Sequence, residues 1–151
     1  MEQSLETPGQ PIKNGSMPHE HSVYMMLVDS AAQARDADAL RRYAPLLEEL
    51  ALRDEHRPYL GIAHRAWGVA HLLAGEHAEA EARLGQALEL FEGLESRWQI
   101  GRTLMEIGEL DLARSDRGAA FEHFSGALTA FEEMKALPDA QRAQRALSTI
   151  S

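Results

Sequence analysis

A chain of 151 residues with a formal net charge of -9 and no cysteine is sized for a single domain that can bury a core without covalent staples. The charge balance argues against a phosphate-binding surface, because nucleic-acid binders cluster Lys and Arg to displace counterions. The lack of Cys excludes a disulfide framework and any thiolate metal site. No stretch approaches the roughly 18 apolar residues of a membrane span, and the opening MEQSLETPGQPIKNGSMPHEH lacks the apolar centre of a signal peptide. The expectation is a soluble cytoplasmic protein with neither membrane nor nucleic-acid partners.

Residues 1–18 hold Pro8, Gly9, Pro11, Gly15 and Pro18 and few large apolar side chains. Such a segment gains too little from burial to offset its ordering entropy, and it reads as a disordered tail ahead of a helical domain over 19–151. From His19 the spacing of Val23, Leu27, Ala31 and Ala34 is helical. A turn at Arg35 to Asp38, with Asp36 or Asp38 as N-cap, leads to a helix over about 38–53 with Leu40, Ala44, Leu47, Leu50 and Ala51 inward. Pro45 lies inside it and predicts a kink or a late start. Pro58 suits the first turn of the next helix, about 58–74, which Gly75 terminates. Its partner, about 77–94, carries the clearest stripe: Ala80, Leu84, Ala87, Phe91 and Leu94, spaced four, three, four and three. A third pair follows over about 97–114 and 117–135, the latter burying Ala120, Phe124, Ala127, Phe131 and Met134. A last helix over about 138–150 has Ala140, Ala143, Leu147 and Ile150 on one face and Gln141, Arg142, Gln144 and Arg145 on the other, as the end of a solenoid requires.

The second and third pairs superimpose at one offset. Gly68 pairs with Gly108, Ala80 with Ala120, Leu84 with Phe124, Ala87 with Ala127, Leu88 with Leu128 and Phe91 with Phe131, all 40 residues apart. A fixed period of this size is the mark of stacked supersecondary units. The fold class is therefore all-α: an α-α superhelix of three antiparallel helix pairs, units about 19–57, 58–97 and 98–137, with a capping helix over 138–150.

Trp67-Gly68, Ala80-x-x-x-Leu84 and Ala87, repeated as Ile107-Gly108, Ala120-x-x-x-Phe124 and Ala127, resemble the tetratricopeptide repeat, with its large residue and Gly on the first helix and Ala-x-x-x-Phe then Ala on the second. The period of 40 rather than about 34 implies longer helices, similar to arrays in bacterial transcription activators. The first unit departs, with Leu27-Val28 in place of large-Gly. The resemblance implies a right-handed solenoid whose first helices line a concave groove. Counted from the Gly position, that groove would hold Met25, Met26, Asp29 and Ala32 in unit one, Ile62, Arg65, Val69 and Leu72 in unit two, and Arg102, Met105, Glu106, Glu109 and Leu112 in unit three. The methionines either face a partner or pack between units. Arg65 and Arg102 either meet acidic groups of a peptide or pair with Asp29, Glu106 or Glu109.

Chemistry finds little support. His64 and His71 lie seven apart, unlike the four of a helical metal pair, and occupy packing positions of the repeat. There is no Gly-rich phosphate loop, nucleophile elbow or cysteine nucleophile. The expectation is a protein that is not an enzyme, needs no cofactor or metal, and presents a groove to a protein or peptide. A second reading is a ligand-responsive sensor of a transcription factor or signalling enzyme; a third is a homo-oligomer joined through unit one or Phe121. The repeat alignment itself predicts that Ala80→Leu overpacks a helix pair and costs about 1 to 3 kcal/mol, while Glu81→Leu on the outer face costs little. Equal thermal midpoints for the two variants would refute the assigned faces.

Overall fold

The computed structural model describes residues 13–150, with side chains from Ser22 onward. Seven helices follow one another with no strand among the described residues: α1 Lys13–Ala34, α2 Ala37–Arg53, α3 Arg57–Leu73, α4 His77–Gly93, α5 Arg97–Ala113, α6 Arg117–Glu133 and α7 Leu137–Ile150. Each packs antiparallel on the next, and they form an all-α helical-repeat superhelix. Among the described residues no helix is long and apolar enough to cross a membrane.

The repeat has a shorter clock than 40. Helices α2 to α6 are all 17 residues long, and every connection is the same compact link. Arg35, Glu55, Gly75, Glu95, Ser115 and Lys135, spaced by 20, all sit at positive φ between 53° and 78°. At each, the next residue's N–H reaches back to a carbonyl five residues earlier, as from Asp36 to Ala31 at 2.9 Å and from Ser96 to Phe91 at 3.0 Å. This is the Schellman closure of a helix C-terminus. The residue that donates that bond also opens the next helix, its carbonyl taking the first helical bond, as Asp36 does from Leu40 and Ser96 from Ile100. Asp36 and Asp116 cap further with their side chains, on Ala39 and Ala119, and His56 caps Tyr59 through Nδ1. Only Gly75 supplies the residue type this backbone favours; the other five carry the left-handed penalty.

Within a pair, glycines seat the partner's large side chains. A Cβ on Gly61 would lie 2.7 Å from the Phe91 ring, and one on Gly68 2.6 Å from Leu84. Gly101 faces Phe131 and Gly108 faces Phe124 in the same manner, at 2.6 and 2.5 Å. Unit one reverses the sizes at the second seat. Val28 stands where Gly68 does, and Ala44 stands where Leu84 does; both are fully buried in one core with Leu40 and Leu47. In α7 the two seats hold Gln141 and Ser148, both exposed.

Two boundaries differ from the sequence expectation. Helix α1 starts at Lys13, so residues 13–18 are helical rather than tail, with Pro18 inside. Composition speaks to burial, whereas a helix nucleated downstream extends backward at one hydrogen bond per residue. Residues 1–12, the rest of the expected tail, lie outside the described residues. Pro45 does not delay its helix, which runs unbroken from Ala37 to Arg53.

Phe121 is exposed, as is Leu137 at the turn into α7; Met134, expected on the buried stripe, is 51% exposed because it is the C-cap beyond the last turn of α6. Two substitutions test the link and the seat in urea unfolding. Glu95→Gly relieves the left-handed conformation and raises stability by up to about 1 kcal/mol. Gly101→Ala drives a Cβ into Phe131 and lowers it by about 1 to 3 kcal/mol.

Candidate binding groove

The first helices of the pairs meet on one side of the superhelix. Helix α1 touches α3, and α3 touches α5, while ion pairs reach from α1 across to α5. That inner side carries an arginine network. Arg102 on α5 grips Asp29 on α1 with both terminal nitrogens, Nη1 to Oδ2 at 3.0 Å and Nη2 to Oδ1 at 2.8 Å. Arg65 on α3 reaches the same Oδ1 at 3.4 Å. Its other nitrogen donates to the Gln99 side chain at 2.8 Å and to Thr103 Oγ1 at 3.3 Å. The guanidinium of Arg65 lies over the Phe91 ring, and that of Arg102 over Trp98. Arg35, just past α1, donates to Glu106 Oε1 at 2.9 Å.

The electrostatics follow from burial and pairing. Arg65 is only 2% exposed, and burial together with the Arg102 charge pulls its pKa down to about 10, against the pull of Asp29 and Glu106. It stays cationic at neutral pH. Burial alone would raise the Asp29 carboxyl; the hydrogen bonds and charge of Arg102, then Arg65, outweigh it and hold it below the ordinary aspartate value. Glu109, half-buried on α5, goes the other way. Burial pushes its pKa up and Glu106 adds to that, only partly opposed by Arg35.

Between the end of α1, the middle of α5 and the start of α7 lies a cleft of about 210 Å³, lined among others by Arg35, Arg102, Met105, Glu106, Glu109 and Arg142. Arg142 is paired with Asp139, which also accepts the Trp98 indole N–H at 2.9 Å.

The groove residues expected from the sequence divide accordingly. Asp29, Arg65, Arg102 and Glu106 come together in one network, so the internal pairing of the arginines is the one that forms. Arg65, Val69 and Ile62 are buried and offer almost no surface. Leu72 packs against the core of Ala80, Leu84 and Leu110. Met25 and Met105 do two things at once, each packing on a core and lining inner surface, while Met26 is 63% exposed. Glu109 lines the cleft. Sequence reading missed Arg35, Asp139 and Arg142. Arg35 sits in a turn, Asp139 in the first turn of α7 and Arg142 on what reads as the polar face of a cap, so nothing local marks them as inward.

A second network ties units one and two together. Arg83 on α4 donates to Glu48 on α2 at 2.9 Å and meets His64 Nδ1 at 2.9 Å. Trp67 Nε1 donates to the other Glu48 oxygen at 2.9 Å. Burial and the Arg83 charge lower the His64 pKa, with Glu48 opposing. His71 stacks on Trp67 and bonds Glu76. Both histidines thus hold packing positions, and the described residues contain no group of three potential ligands for a metal.

Compared with protein-family models and with curated proteins, the chain matches none.

Removing the shared carboxylate leaves two buried guanidinium groups without an anion. Asp29→Asn therefore destabilises by about 3 kcal/mol in urea unfolding, the lower end for a broken buried pair, since Asp29 keeps 21% of its side chain in water. The pH dependence has a definite sign. With the folded-state pKa below the unfolded value of about 3.9, Asp29's contribution is complete above about pH 4 and is lost as pH falls through the folded-state value. The Asn variant lacks that part of the acid limb.

Proposed function

We propose that the chain is a tetratricopeptide-type interaction module, a binding protein rather than an enzyme, which takes a segment of a partner protein on the inner side of its superhelix. The observation that carries this reading is the cleft of about 210 Å³ where α1, α5 and α7 meet. It falls below the roughly 300 to 1,000 Å³ of small-molecule and cofactor sites, and suits one long side chain of a peptide. Met105 gives it a polarisable, adaptable wall, a surface type that accommodates varied partners. A cytoplasmic setting agrees with the reading, and the acidic total charge disfavours nucleic acid.

The test is site-specific photo-crosslinking in the source cell's lysate. A benzophenone side chain in place of Met105 is expected to trap one or a few discrete proteins, while the same group in place of exposed Glu89 on α4 traps none of them. Identical patterns from both positions would overturn the groove reading.

A further inference from the structure

Resting on that reading, the internal symmetry of the groove specifies the chemistry of what enters it. The inner positions of the first helices stand in repeat register: Met25, Arg65 and Met105 occupy one position, and Asp29, Val69 and Glu109 another, each 40 residues from the next. Glu109 is thus the unit-three counterpart of Asp29. Asp29 is held by an arginine from two first helices further along, Arg102. Among the described residues no arginine holds Glu109 in that way.

The other charged groups lining the cleft are all paired. Arg102 is taken by Asp29, Arg35 by Glu106, and Arg142 by Asp139. Arg35 Nη1 is shared between Glu106 Oε1 and the Ala32 carbonyl, and acts on Glu109 only as a nearby charge. Arg145 stands where Arg65 does, 80 residues on, but is exposed on α7 and makes no ion pair. Among the described residues Glu109 is left half-buried without a hydrogen-bonding or ion-pair partner. Leaving such a group uncompensated costs stability, and a residue that breaks a local rule of this kind points to function.

We infer that Glu109 receives a Lys or Arg side chain of the partner, which enters the cleft with its aliphatic stem along Met105 and completes at unit three the pairing that Arg102 makes with Asp29 at unit one. Residues 1–12 of the chain contain no Lys or Arg, so no basic side chain of that segment is the occupant.

A random dodecapeptide phage library selected on the folded protein tests this. The expected result is a consensus with Lys or Arg at one fixed position. The selected peptide should bind Glu109→Gln at least about tenfold more weakly, and selection on Glu109→Lys should shift that position to Asp or Glu. Because Glu109→Gln relieves a strained carboxylate, it folds at least as stably as the native protein at neutral pH, and urea unfolding checks that. A consensus without a fixed basic residue, or one bound equally by Glu109→Gln, overturns the inference and leaves the groove reading standing. No enrichment, together with no Met105-dependent crosslink, overturns both. A dimer in sedimentation that Glu109→Gln abolishes would put a second copy of the chain in the cleft, and likewise refutes a separate partner.

Discussion

Everything in this molecule depends on one link, two residues long, used six times. A left-handed residue closes each helix, and the residue after it both completes that closure and opens the next helix. With the link invariant and helices α2 to α6 of one length, each helix meets its neighbour at a repeated register. A constant step between equal rods produces a superhelix. The conformational penalty falls on five residues that are not glycine, and the packing of two helices at every link must offset it.

The register in turn decides where large and small side chains meet. Glycines 61, 68, 101 and 108 admit Phe91, Leu84, Phe131 and Phe124 at distances that a Cβ would forbid. Val28 with Ala44 solves the same problem with the sizes exchanged. This explains how the first unit keeps the fold while losing the motif, since a pair of facing positions needs a fixed total volume more than particular letters. On α7 the same two positions hold the exposed Gln141 and Ser148.

Equal steps with helices converging on one side bring residues far apart in sequence into contact on the inside of the curve. Asp29 and Arg102 are separated by two units and yet form a bidentate pair, with Arg65 buried between them. Much of the inner surface is thereby used by the protein on itself. What remains open lies toward α7, beside the half-buried Glu109.

The sequence by itself determined the class of fold and nearly all of its helices, because Ala80, Leu84, Ala87 and Phe91 and their counterparts 40 residues on record burial at helical spacing. Helix ends fell within a residue or two, apart from α1, where composition says nothing about how far a nucleated helix extends. Gly75 disclosed one left-handed link; Arg35, Glu55, Glu95, Ser115 and Lys135 could not, since their residue types carry no such signal. Only the tertiary structure decided which charged residues are buried. Arg65 and Glu109 look alike in sequence, each a charged residue on the inner face of a first helix. Burial and pairing depend on what the curvature brings from α1 and α7, and curvature is a property of stacked units that no single helix contains.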